Sequence, residues 1–254
     1  ALGLAADVGA AGGATRSEVK AFDRASGGLS EVRRNSDDLV LQCEEFEQLA
    51  EPDFEKHWKD RTRPFASQVS QERLYRTKCV KQADVLMLMM LFPGEYSISE
   101  VRRAWDYYLP YTTHDSSLSP GAHAIVAVRL GLMDDAWRFW KMGSGIDLDV
   151  EHGGAAEGIH IANAGAVWQM AVLGFAGMRT AMQEEDLTLS PDLPPAWSRL
   201  AFPMIWKGTP VFVDIDPRHV AVSNRGDRSL EVRVYGMNVT LLPGGQATWE
   251  KERN

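Results

Sequence analysis

Three short stretches gather side chains able to hold a polyhydroxylated ligand beside an anion. The first, Cys79-Val80-Lys81-Gln82-Ala83-Asp84-Val85, sets a cation, an amide and a carboxylate together. Lys donates, Asp accepts and Gln does both, the mixture that neighbouring sugar hydroxyls need. The plainer reading is an internal Lys81–Asp84 salt bridge, since a buried ammonium needs a partner. The second stretch, Tyr111-Thr112-Thr113-His114-Asp115-Ser116-Ser117-Leu118-Ser119-Pro120-Gly121, is dense in hydroxyls just before an expected helix. Ser116, Ser117 or Ser119 would serve as an N-cap, with Pro120 in the first turn. Capping accounts for one serine. Several hydroxyls and free N–H groups at a helix start also suit phosphate. In the third, Gly153 to Gly165, glycines bring backbone close to whatever lies above, and His160 opens a helix. A lone histidine is more often structural, and at such a junction a functional role stands beside that reading.

These stretches need a helical frame. A helix is expected over 38–50, capped by Ser36 or Asp37, and a charged, proline-bearing loop over 51–67. One long helix is expected from Gln68 to Leu91, apolar nearly all round in its second half and stopped by Pro93-Gly94. This places Lys81 and Gln82 in one turn of a buried helix. Further helices are expected from Ser97 or Ser99 to Pro110, at 119–131 with Gly131 as C-cap, and at 133–142. A glycine-rich loop follows over 143–158. The last helix, 159–183, carries a small face of Ala162, Gly165, Ala166 and Gly174. After Asp186 short period-two runs, RLAFPMIW, PVFVDI, HVAVSN, LEVRVYG, NVTLLP and QATW, alternate with turns such as Lys207-Gly208 and Pro243-Gly244-Gly245. The reading is therefore an irregular or linker segment over 1–37, a helical body over 38–186, and an antiparallel sandwich over 187–254.

Composition narrows the partners. With 254 residues, 44% of them hydrophobic, the chain can bury a sizeable core. A net charge of −8 argues against nucleic acid and acidic membrane surfaces as partners. Eight tryptophans suit sugar stacking or core filling. Cys43 and Cys79 stand far apart outside any CxxC pattern, and read as reduced thiols of a cytoplasmic protein, with one disulfide as the other reading. The N-terminal stretch lacks the pattern of a signal peptide, and the run Val85 to Phe92 is too short to span a bilayer. The six histidines form no metal-binding pattern, and no Walker loop, GxGxxG or GxSxG is present. No cofactor is expected.

Together, KQADV, YYLPYTTHDSSLSPGAHA and GGAAEGIHIANAGAVWQMAVLGFAG resemble glycoside hydrolase family 65, the kojibiose, maltose, nigerose and trehalose phosphorylases. Order and spacing both fit, strongly over 68–183 and more loosely over the strand-rich tail. The resemblance implies a mainly α fold, part of an (α/α)6 barrel followed by a small antiparallel β-sandwich domain. It implies inverting phosphorolysis of an α-glucosidic disaccharide, with inorganic phosphate as co-substrate and β-glucose 1-phosphate as product. Lys81 and Gln82 would then grip the transferred glucose. Ser116, Ser117 and His160 would bind phosphate, with Gly158 helping to position it. Hydrolytic relatives use a carboxylate base to activate water, a role open here to Asp115 or Glu157. The family's general acid is a glutamate well upstream of KQADV. No segment in 1–67 matches it, for the surroundings of Glu44 and Glu45 differ. A twelve-helix barrel needs roughly 200 residues, and 38–186 offers about six helices. The chain is thus expected to be a half-barrel with its β tail, completed by an N-terminal portion, by a partner chain, or not at all. An open half-barrel exposes apolar edges that favour a homo-oligomer or such a partner. A non-catalytic sugar- or phosphate-binding subunit, or a truncated relic, is the rival from another class.

Overall fold

The computed structural model describes residues 12–29, 32–148, 158–180 and 184–251. They fall into two compact units, Ala1–Cys43 and Glu44–Asn254. In the first, within the stretch read as irregular, α1 (Arg16–Gly27) forms behind a capping box. Thr15 Oγ1 accepts from Glu18 N at 3.3 Å while Thr15 N donates to Glu18 Oε2 at 2.8 Å. The helix expected over 38–50 is absent. Asn35 Oδ1 accepts from the N–H groups of Asp37 and Leu39, and Asp38 is left-handed (φ 62°), so a side-chain turn displaces the helix there.

The second unit begins with the 3-10 turn Phe46–Gln48, α2 (Phe54–His57), the 3-10 turn Phe65–Ser67 and α3 (Gln71–Tyr75). Then come α4 (Asp84–Leu91), α5 (Ile98–Tyr108), α6 (Ser119–Arg129), α7 (Met133–Gly145) and α8 (Ile161–Gln169), the last continued by a π-helical segment, Met170–Phe175. The long helix expected over 68–91 is two helices. Between them the chain is extended, because Thr77 and Val80 pair with distant strands of chain: Lys78 N donates to Ala50 O at 2.9 Å and Val80 N to Tyr111 O at 2.9 Å. Its apolar periodicity counted α4 correctly but carried it through a segment whose hydrogen bonds go elsewhere. Ser97 caps α5 with Glu100 in a second capping box. Gly131 closes α6, its N–H bonding Val128 O while Leu132 N bonds Ala127 O. The buried core of the helices includes Leu86, Met89, Val101, Trp105, Phe139, Met170 and Phe175. Among the described residues no helix is long and apolar enough to cross a membrane.

Among the described residues seven strands form two small sheets, in the orders β1-β5-β6 and β2-β3-β4-β7. They are β1 (Leu187–Leu189), β2 (Leu200–Trp206), β3 (Thr209–Ile215), β4 (His219–Asn224), β5 (Leu230–Val234), β6 (Met237–Leu241) and β7 (Gln246–Glu250). Pairing is antiparallel except between β1 and β5, which are parallel. Burial alternates along β3, β4 and β5, so one face of each points inward. The sheets are not walled off from the helices: Val172, Ala176 and Met178 share one apolar core with Leu187, Phe202, Val213, Val222, Val232 and Trp249. Gly177 makes that junction possible. Its φ is +59°, and any side chain there would run into the carbonyl oxygen of Ser190.

Candidate functional site

The first two chemistry-bearing stretches are stitched edge to edge. Val80 N donates to Tyr111 O at 2.9 Å and Thr113 N donates to Val80 O at 2.8 Å, a parallel bridge between Val80 and Thr112. Lys81 and Gln82 therefore stand beside the hydroxyl-rich loop, on the extended approach to α4 and not inside a buried helix as the periodicity suggests. Lys81 is exposed and Gln82 half-buried. The desolvation that called for a Lys81–Asp84 pair is thus missing, and Gln82 Nε2 donates to Asp84 Oδ1 at 3.0 Å instead. Beneath them the Cys79 thiol is pushed up to about 11, chiefly by burial and further by the Asp115 charge, so it stays neutral.

The 111–119 loop turns sharply at His114, whose φ of +56° is left-handed. No serine occupies the N-cap of α6, which is Leu118; Pro120 does lie in the first turn. Ser116 Oγ accepts from Leu118 N at 3.3 Å and Ser116 O accepts from Ser119 N at 3.0 Å, which folds the loop onto the helix start. Ser117 is half-buried next to it. Asp115 reaches back across the chain: its two oxygens accept from Phe65 N at 2.9 Å and Ala66 N at 2.8 Å. A carboxylate tied by two backbone N–H groups anchors the 65–67 turn to this loop, which disfavours Asp115 as the base of a hydrolase. The other candidate base, Glu157, lies outside the described residues.

Under the loop sits an imidazole pair, His123 buried and His114 half-buried. His114 Nδ1 and Ser119 Oγ are hydrogen-bonded at 2.9 Å, and the His114 ring lies 4.7 Å from that of His123 and 5.0 Å from Phe139. His123 is fully buried, 5.6 Å from the Trp105 ring. Its Nδ1 faces Ser119 O at 2.8 Å, so that nitrogen carries the proton in the neutral ring. Burial drives both groups down, His114 to about 3 and His123 to about 4, with the neighbouring His123 and Arg138 adding to the fall at His114. Both rings are therefore neutral and apolar in effect, a rigid floor for the loop above.

His160 occupies the N-cap of α8. Its N–H lies 3.2 Å from both oxygens of Asp147, and its Nδ1 lies 2.7 Å from Asp147 Oδ1. The two side chains are 26% and 20% exposed, open enough for a small ligand to reach. The His160 ring and N–H hold the Asp147 carboxyl below its ordinary range. Gly158, two residues earlier, has φ +96° with open space where a Cβ would be, so backbone conformation and not crowding calls for glycine there. The sequence reading missed Asp147; no spacing rule marks an aspartate just past the end of one helix as the partner of a histidine opening the next.

The orientation of the helices decides whether these parts can act together. A Cβ on Gly121 would lie 2.9 Å from Ala166 Cβ, and one on Gly174 would lie 3.5 Å from Ile125 Cγ1. Contact advances along α6 and along α8 with its π-helical continuation in the same sense, so the two run parallel. Ser116 and Ser117, before α6, and Gly158 and His160, before α8, accordingly lie at the same end. The close end of α7 joins them there: Gly143 packs against Pro120, and Asn163 Nδ2 donates to Gly143 O at 2.9 Å. Of the expected small face only Ala166 and Gly174 meet α6. The buried stripe of α8 runs through Asn163, Ala166 and Met170, leaving Ala162 and Gly165 exposed on its flank.

Comparison with known proteins agrees with these motifs. Residues 11–169 match the glycosyl hydrolase family 65 central catalytic domain, and residues 178–241 match the family's C-terminal domain. The match thus extends through the motif-poor stretch before residue 68. The chain is 36% identical to kojibiose phosphorylase of Escherichia coli (strain K12), over 68% of this chain and 22% of that protein. It is 36% identical to maltose phosphorylase of Bacillus subtilis (strain 168), over 70% of this chain and 23% of that protein. It is 35% identical to alpha,alpha-trehalose phosphorylase of Geobacillus stearothermophilus, over 64% and 21%. A solved structure assigned as a kojibiose phosphorylase, from the human microbiome, superimposes with a TM-score of 0.80 at 30% identity, covering 94% of this chain and 32% of that one. The chain spans less than a quarter of the length of these curated relatives.

Proposed function

Because the chain belongs to glycosyl hydrolase family 65, we propose that it supplies the phosphate cradle and part of the glucose slot of an inverting disaccharide phosphorylase. The observation that carries this reading is the parallel packing of α6 and α8, which sets two helix starts at one end. Ser116 and Ser117 stand just before one start, the Gly158 backbone and His160 at the other, and the positive ends of two helices favour an anion there. Lys81 and Gln82, held beside the loop through the Val80–Thr112 bridge, grip the glucose being transferred.

In this reaction a protonated glutamate gives its proton to the glycosidic oxygen as the bond from C1 breaks. A phosphate oxygen forms the new bond to C1 from the opposite face, so the anomeric centre inverts and β-glucose 1-phosphate results. Phosphate is already an anionic nucleophile and needs positioning more than deprotonation. The glutamate belongs to the remainder of an (α/α)6 barrel, of which the helices within 38–186 form a part, with 187–254 as the β domain.

The test is phosphate binding by this chain, read by calorimetry or by 31P line broadening. Ser116→Ala and His160→Ala should each weaken it by about tenfold, the loss of one charge-assisted hydrogen bond. Affinity unchanged in both variants would dismiss these roles. In the complete enzyme, disaccharide cleavage that is indifferent to added phosphate would favour hydrolysis over phosphorolysis.

A further inference from the structure

We propose that Asp147 is a positioning residue for the anion site, fixing the His160 ring so that Nε2 is the nitrogen presented to phosphate. The inference rests on the phosphate reading and deepens it. Asp147 engages His160 twice, through the backbone N–H at 3.2 Å from each carboxylate oxygen and through ring Nδ1 at 2.7 Å from Oδ1. Either contact alone would leave one freedom. The first sets where the residue enters α8, and the second sets which ring edge faces inward.

Proton accounting gives the chemical consequence. An ionised carboxylate only accepts, so the nitrogen facing it must carry hydrogen. Nε2 is then the ring's other polar atom. When the ring holds both protons, Nε2–H donates to a phosphate oxygen while Asp147 balances the ring's charge. Asp147 is itself well placed to hold a ring still. It follows the end of α7, whose Gly143 is pinned between Pro120 of α6 and Asn163 of α8. The same packing that brings the two helix starts together thus also delivers the carboxylate.

A purely structural cap would have the same geometry, so the test reads the ring directly. The 254-residue chain, labelled with 15N, is examined by long-range 1H–15N correlation at the histidine rings during titration with inorganic phosphate. The wild type should show a protonated His160 Nδ1, with phosphate moving Nε2 more than Nδ1. Asp147→Asn should keep its far-UV circular dichroism, shift the His160 Nδ1 resonance, and bind phosphate about ten- to a hundredfold more weakly, as when a carboxylate partner is removed from a ligating imidazole. Wild-type affinity in Asp147→Asn overturns the proposal. So does a bare Nδ1 in the wild type, and that measurement decides alone if the variant does not fold. Failure of the phosphate reading has its own signature: the wild type binds no phosphate and its His160 resonances do not move, although Nδ1 remains protonated against Asp147. That result overturns the role in anion binding while leaving the hydrogen bond in place.

Discussion

Mild acid should destabilise this protein through the His114–His123 pair. Both folded values lie far below the ordinary histidine value, about 3 and about 4, because burial penalises the charged ring. Between these values and about 6.5 the unfolded chain binds protons that the folded chain refuses, so stability rises with pH across that window. The stabilising term is complete above about pH 6.5 and drains away as pH falls towards the folded values. On going from pH 8 to pH 5 each group forfeits about 2 kcal/mol, and the pair about 4 kcal/mol. The figure barely depends on the folded values so long as they stay below about 4.5. Carboxylates held low by partners, such as Asp147 and Asp214, begin to drain only below about pH 4.5, so pH 5 isolates the imidazoles. The assay is urea unfolding at pH 8 and pH 5, followed by tryptophan fluorescence, with Trp105 packed 5.6 Å from the His123 ring. His123→Asn cannot titrate, and its amide keeps a donor for Ser119 O. Asn also tolerates the left-handed backbone at position 114. Packing losses in the variants act at both pH values and cancel in the difference. Relative to wild type, His123→Asn should reduce the pH 8-to-5 loss by about 2 kcal/mol and the double variant His114→Asn/His123→Asn by about 4 kcal/mol. An equal loss in wild type and double variant would refute the neutral pair.

Other consequences follow from single contacts. Gly177→Ala should destabilise by more than about 2 kcal/mol, since a left-handed backbone already costs about 1–2 kcal/mol and the new Cβ meets Ser190 O; a thermal melt measures it. Asp115→Ala should cost about 1.5–3 kcal/mol in urea unfolding, chiefly because the Phe65 N–H, in a partly buried bond, loses a charged acceptor, while the exposed Ala66 N–H can turn to water. Were Asp115 a hydrolytic base instead, Asp115→Asn would abolish cleavage in the complete enzyme while leaving stability nearly intact.

Much of the helical frame was legible. Ser97, Pro120, Gly131 and Pro93-Gly94 are local signals acting within a turn or two, and α4, α5, α6 and α7 begin or end where they predict. The strands from Leu200 onward were legible for the same reason, since period-two burial and two-residue turns need no distant partner, whereas β1 forms in a proline-rich stretch only by pairing with β5. The misreadings lie where distant chain wins. Residues 77–80 have apolar spacing compatible with a helix, but Ala50 and Thr112 claim their backbone. Asp115 looks like a free carboxylate until Phe65, fifty residues away, takes it.

By itself, the sequence determined which groups are available and where two of the site's helices start, with hydroxyls before Ser119 and a glycine and a histidine before Ile161; the start at Asp84, just after the lysine and the glutamine, was not legible. Only the tertiary structure decided that these starts share an end, because direction is set by Gly121 meeting Ala166 and Ile125 meeting Gly174. It also decided that Asp147 holds His160. The physical reason is range: capping and turn chemistry are encoded within a few residues, whereas parallel packing and carboxylate pairing depend on surfaces that meet only after the chain has folded back on itself.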